Sequence, residues 1–306
     1  MRGTLLKSKP VFEIKVPGKW ILAGEHAVLR GSEALAFPLY SRYLKLFYFK
    51  NESNPESEFE LFIEGENKQE LELIIWSVLE RAFSILNVKR SHIFGLVKIQ
   101  SFIALGGGVG ASATLCVALT EWLHFLGYIK NDEMFDFARN LENLFHGESS
   151  GVDVAVTLFK KPLVFTRSNG FVDLKISSMP ALYLSYSGER GVTRDCIEKV
   201  KNLGHTQPEL AKIIDQEMQE AVLDFKKLLT ESNTSSGWIK AVEKSNHCFE
   251  QWGLVTENVK KHQNQLLDAG ALAVKLTGSG GGGYVLSLWE SKPAIELPFE
   301  IMDCFE

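Results

Sequence analysis

Asp153 lies in HGESSGVDVAV (residues 146–156), where a Ser-Ser-Gly turn leads into an apolar run that reads as a buried strand. A carboxylate among apolar neighbours is costly unless a cation pairs with it or a reaction employs it. Taken alone, Asp153 fits a turn cap or a buried ion pair as well as a catalytic group. Glu142 comes four residues after Ala138 and one after Leu141, so it borders the apolar stripe of a helix. By itself it fits a structural pair. Lys19 follows Pro17-Gly18, a pair that should break the first strand, in VPGKWILAGEHAVLRG (residues 16–31). A lysine there can neutralise a carboxylate and a phosphate together, or stand solvated in a loop. Glu25-His26, in a short link between strand and helix, suits a small polar substrate or a helix cap.

Two glycine-rich segments add anion chemistry. In ALGGGVGASATL (residues 104–115) Gly106, Gly107 and Gly108 let backbone amides approach an anion with no Cβ between. Val109, Gly110, Ala111, Ser112 and Ala113 then lead into a helix whose first N–H groups and positive dipole end face the same place. Ser112, in the first turn, can meet a phosphate or ligate Mg²⁺. Gly106, Gly108 and Ala111 also satisfy a dinucleotide pattern, but the segment NDEMFDFARNLENLF that follows is helical where a second strand with an acidic end is required. No glycine run ends in the Gly-Lys-Ser/Thr of a P-loop. KLTGSGGGG (residues 275–283), just before YVLSL, marks a hairpin that another backbone approaches closely.

These residues need a scaffold. VFEIKV (11–16) and YLKLFYF (43–49) read as strands, and the polar stretch Asn51 to Glu60 as an exposed turn between strands. Helical periodicity runs from about Glu70 to Leu86, and a strand at about Ile93–Phe102 feeds the glycine segment. A strongly apolar helix spans Ala111 to about Leu126, and Asn131 reads as the N-cap of the next. KPLVFT and ALYLSYS return to sheet, and amphipathic helices at about Pro208–Thr230 and Trp238–Ala269 precede the last hairpin. Strands and helices without a regular βαβ beat predict an α+β fold, divided near residue 180 into domains 1–180 and 181–306.

The 306 residues suffice for two moderate cores, and 45% hydrophobic content argues against extensive disorder. A net charge of −5 argues against a broad electrostatic footprint for nucleic acid or an anionic membrane, so any polyphosphate must be held locally. The expected partners are therefore small molecules, with no nucleic acid and no membrane. No apolar run approaches the length of a bilayer span, and the basic start lacks the apolar core of a signal peptide. Cys116, Cys196, Cys248 and Cys304 are widely spaced, as expected of reduced thiols in a cytoplasmic protein.

In this order the segments resemble the GHMP kinases, and within them the mevalonate kinases. VPGKWILAGEHAVLRG follows the family's opening PGK…GEHAV run, ALGGGVGASA its phosphate loop, HGESSGVD its HGxPSGxD segment and KLTGSGGGG its closing KLTGAGGGG. Gly188 and Thr193 match a further Gly and Thr five residues apart. The resemblance spans residues 16 to 283. It implies an N-terminal domain like the second domain of ribosomal protein S5 and a ferredoxin-like C-terminal domain. It further implies ATP-dependent phosphorylation of the primary hydroxyl of mevalonate, with Asp153 as catalytic base, Lys19 beside it, and Ser112 and Glu142 as Mg²⁺ ligands. The amides of residues 106–113 would hold the ATP phosphates, and Glu25, His26, Thr193 and Ser279 would line the acceptor site. Ala104, Ala111, Ser149 and Ser279 depart from the family pattern, which has Pro, Ser, Pro and Ala there. Another acceptor, such as phosphomevalonate or a sugar, stays open, and Arg190 and Arg194 beside Thr193 would suit a phosphorylated one. A nucleotide-binding regulator without catalysis is the rival of another class, and a homodimer is left open.

Overall fold

Strand β1 (Phe12–Ala23) alternates in burial up to Lys15 and is buried without interruption from Val16 onward. Its second half therefore has protein on both faces. This comes from a computed structural model that describes residues 9–50, 58–64, 68–104, 106–231, 234–293 and 297–306. β1 pairs antiparallel with the long β2 (Ala34–Phe49), and Pro17-Gly18 does not break it. The register shifts there as a bulge, which accommodates the proline and re-aims the side chains that follow.

β3 (Glu60–Glu64), helix α1 (Lys68–Leu86) and β4 (Leu96–Ser101) form a unit with β3 and β4 parallel. The polar stretch expected as a turn lies at 51–57 outside the described residues, and its last members already pair: Glu58 bridges Phe94, and Phe59 is buried. Helices α2 (Ala111–Phe125), α3 (Met134–His146) and α4 (Val152–Phe159) follow, with β5 (Leu163–Thr166) and β6 (Gly170–Asp173) after them. Among the described residues the first sheet runs β3-β4-β2-β5-β6, with β1 on β2. α2 is buried over most of its surface because α3, α4, β1 and β2 surround it.

VDVAV is not a strand but the start of α4, preceded by Gly151 at φ +92°. Short apolar runs bury equally well in either form, and periodicity cannot separate them. Asn131 is likewise not the cap of α3. It lies inside a 3₁₀ turn, Asn131–Glu133, whose entry is fixed by the Lys130 N–H donating to Glu133 Oε2 at 3.0 Å.

The second sheet holds β7 (Ala181–Tyr186), β8 (Ala273–Leu276), β9 (Tyr284–Trp289) and β10 (Ile301–Asp303) in the order β10-β7-β9-β8, all antiparallel. Numbered from its own first strand this is 4-1-3-2, the ferredoxin-like order. Between β7 and β8 run α5 (Thr193–Thr206), α6 (Pro208–Thr230), α7 (Ser235–Gln251) and α8 (Glu257–Asp268). The single helix expected over Trp238–Ala269 is two. Gly253 turns at φ +68°, and Thr256 caps α8 by accepting from the Val259 N–H at 3.2 Å. The fold is thus α+β. One core joins Trp20, Leu22 and Phe37 of the first sheet to the second sheet and its helices, so β1 and β2 serve both halves.

Candidate active site

The bulge in β1 delivers Lys19 to the glycine loop. Its backbone N–H donates to the Val109 carbonyl at 3.0 Å, and a Cβ on Gly110 would stand 2.8 Å from Lys19 Cγ, so only glycine permits this approach. The Lys19 side chain is 3% exposed, and its Nζ lies 2.9 Å from Asp153 Oδ2. Asp153 sits in the first turn of α4, where the positive end of the helix favours a carboxylate. Its side chain is 23% exposed, enough to meet a substrate.

Glu142, on α3, is buried and accepts a hydrogen bond from the Ser149 hydroxyl. Burial first, and the Asp153 charge second, push its carboxyl up to about 8, against the opposing pull of Ser149 and Lys19. Ser149 Oγ also accepts from the Gly151 N–H at 3.0 Å, which ties this carboxylate to the turn that starts α4. Ser112 occupies the first turn of α2. The first bond within that helix runs from the Thr114 N–H to the Gly110 carbonyl at 2.9 Å, so the N–H groups before it have no acceptor inside the helix.

Opposite stands a second group. Glu25 and Lys275 form an ion pair of 2.8 Å with both side chains 2% exposed or less. Burial pushes the Glu25 carboxyl up and the Lys275 ammonium down, and each partner's charge opposes the other's shift. His26 Nε2 lies 2.8 Å from the Ser279 carbonyl. A carbonyl only accepts, so Nε2 carries the proton and Nδ1 is left as the ring's acceptor. Burial lowers the His26 pKa to about 4, so the ring is neutral near pH 7. Thr193 Oγ1 and Ser279 Oγ are 3.1 Å apart.

Both groups line one cleft of about 330 Å³. Lys19, Asp153, Glu142 and Ser112 are on its walls with Glu25, His26, Thr193 and Ser279, as are Gly106, Gly108, Gly110 and Ala111. Gly107, Val109 and Ala113 lie behind the lining. Gly107 and Val109 offer their carbonyls to Tyr284 and Lys19, and Ala113 is fully buried. Lys275 and Thr277 were not among the residues singled out from sequence. The Thr277 hydroxyl accepts from the Ile21 N–H at 3.0 Å and donates to the Ile21 carbonyl at 2.9 Å, fastening the last hairpin to β1. The available signal was a lysine inside the apolar strand AVKL, which must either leave the core or find a buried anion.

A conformationally constrained lysine–aspartate pair between a glycine-rich helix start and a polar pocket is what a phosphotransferase requires. The family models for the GHMP kinases N terminal domain and the GHMP kinases C terminal match residues 74–161 and 218–297, together more than half of the chain. The chain belongs to the GHMP kinases, which transfer a phosphoryl group from ATP to an alcohol. It is 27% identical over 299 residues to the mevalonate kinase of Thermococcus onnurineus strain NA1, covering 90% of this chain and 88% of that one. In fold it is similar to L. major mevalonate kinase solved with R-mevalonate, at TM-score 0.75 and 22% identity over 93% of this chain and 90% of that one. The Methanococcus jannaschii mevalonate kinase gives 0.76 at 20% identity, over 97% and 98%. Among the described residues no helix is long and apolar enough to cross a membrane.

Proposed function

We propose that the chain phosphorylates the primary hydroxyl of mevalonate with ATP as donor. The observation that carries the reading is the Lys19–Asp153 pair, set in one cleft between the α2 start and the Glu25–His26–Ser279 pocket. Relatives named mevalonate kinase along nearly the whole chain support the acceptor. The acceptor oxygen forms a bond to the γ-phosphorus as the bond to the β,γ-bridging oxygen breaks, and ADP carries away that electron pair. Asp153 takes the hydroxyl proton, and Lys19, 2.9 Å from its Oδ2, orients the carboxylate and offsets charge on the transferring group. Phosphoryl transfer asks chiefly for positioning and charge neutralisation, which this small set of residues supplies.

Ser112 and Glu142 offer hard oxygen donors that fit Mg²⁺, and a buried carboxyl pushed up to about 8 gains from a neighbouring cation. Among the described residues no cluster of three or more His, Cys, Asp or Glu could hold a metal by itself. A Mg²⁺ held by Ser112 and Glu142 would supply charge neutralisation for the nucleotide phosphates. The reading divides the chain near residue 180, between β6 and β7, and places the reaction in the cytoplasm, in keeping with four unpaired thiols. Sedimentation of the purified chain decides between monomer and homodimer.

The test is ADP release with mevalonate, phosphomevalonate, homoserine and simple sugars, using Asp153→Asn as control. Mevalonate should drive release, and the variant should keep its melting temperature while losing at least about a hundredfold in kcat. Near-normal turnover in Asp153→Asn removes the base role, whereas release with another acceptor alone removes mevalonate and keeps the kinase.

A further inference from the structure

Arg190 reaches the glycine loop from the other half of the molecule. It lies in the connection from β7 to α5, which is held at Glu189 through both its backbone and its side chain. The Gly283 N–H donates to the Glu189 carbonyl at 2.7 Å, and the Thr256 hydroxyl donates to Glu189 Oε2 at 2.5 Å. The Arg190 side chain then lies flat over Gly106, where any Cβ would overlap its Nε and Cγ. Arg190 lines the same cleft as Ser112 and Lys19. Its Nη1 donates to Glu70 Oε1, in the first turn of α1, at 3.2 Å.

We propose that Arg190 is a contact for the nucleotide's phosphates, and that Glu70 competes with them for its guanidinium. The proposal rests on the reading that ATP binds along the glycine loop. Three features favour a phosphate as the true partner. The Glu70 pair uses one N–H, with side chains 53% and 48% exposed, and such half-solvated pairs are weak and easily exchanged. A guanidinium presents a planar fork that matches phosphate oxygens bidentately, so the exchange gains hydrogen bonds as well as charge. The bare Gly106 backbone beneath it lets the arginine approach the loop that leads into α2, whose first N–H groups favour an anion. Arg194 also lines the cleft, but it is 73% exposed and pairs with Glu198 on its own helix.

The experiment titrates ADP and ATP by calorimetry into the wild type, Arg190→Ala, Arg190→Lys and Glu70→Gln, with KM for ATP and for the acceptor measured alongside. Arg190→Ala should weaken both nucleotides about tenfold or more, the loss expected for a charged hydrogen bond, and leave the acceptor KM within about twofold. Arg190→Lys should recover part of the loss, and Glu70→Gln should tighten nucleotide a few-fold by removing the competitor. Unchanged nucleotide affinity in Arg190→Ala overturns the proposal. So does a rise confined to the acceptor KM, which assigns the arginine to an anionic group of the acceptor. If Glu70→Gln weakens nucleotide as much as Arg190→Ala does, the pair merely fastens α1 to the β7–α5 connection. Wild-type ADP binding in the same titration reports on the nucleotide reading itself, so the two failures are distinct.

Discussion

His26 carries a backbone cost that its position explains. At φ 57° and ψ −47° it is the centre of a γ-turn closed by the Ala27 N–H donating to the Glu25 carbonyl at 2.6 Å. A non-glycine residue in such a region costs about 1–3 kcal/mol, and it persists where surrounding contacts over-determine it. Here the Glu25–Lys275 pair on one side and the His26–Ser279 bond on the other hold the turn. Burial adds a pH dependence of definite sign. The unfolded histidine takes a proton near 6.5, the folded one only near 4. Its contribution to stability is thus complete above about pH 6.5 and is lost as pH falls toward 4, up to about 3 kcal/mol. His262, also lowered by burial, contributes a slope of the same sign, so the comparison must be with a variant. Urea midpoints between pH 7 and pH 4 should fall less steeply for His26→Asn than for the wild type; equal slopes would mean that His26 is not held neutral.

At the scale of elements, the two glycine segments act as a pair. The Tyr284 N–H donates to the Gly107 carbonyl at 3.1 Å, so the hairpin between β8 and β9 braces the first glycine loop from behind. Gly278, at φ +88°, would bring a Cβ within 2.9 Å of the Gly108 carbonyl oxygen. Gly278→Ala should therefore destabilise the protein by about 1–3 kcal/mol and raise KM for ATP several-fold, since the loop must shift. Gly31 is the control. Its φ is +99° but a Cβ there meets nothing within 4 Å, so Gly31→Ala should cost about 1 kcal/mol and leave KM unchanged. Denaturant titration and steady-state kinetics on both variants check the contrast, and equal KM values would separate the hairpin from the loop's function. The helical form of VDVAV matters at this scale too. As a strand it would leave Asp153 without a helix start behind it, whereas in α4 the carboxylate gains the dipole and faces Lys19.

Across the whole molecule, the halves are joined by a shared core and by the buried Glu25–Lys275 pair. A buried ion pair need not add net stability, because desolvation offsets its attraction, but removing one partner strands the other charge. Lys275→Met should lower stability by about 3–5 kcal/mol in urea unfolding. The double variant Glu25→Leu/Lys275→Met should recover much of that loss. If the double variant is as unstable as the single, the cost lies in packing and not in the stranded carboxylate.

What the sequence settled by itself is local. A glycine must stand where a backbone comes close, a helix must follow the ALGGGVG turn, and Asp153 must have a partner or a task, because these demands come from single residues and near neighbours. Motif order then carried the family and the α+β class. Tertiary structure decided the rest. Whether an eight-residue apolar run became helix or strand depended on α2 and β1 packing against it, and whether Pro17-Gly18 ended β1 depended on β2 absorbing a bulge. Lys275 belongs to the same class: a lysine some 250 positions from Glu25 can be read as its partner only once the fold has buried both in one place, where water cannot serve either charge.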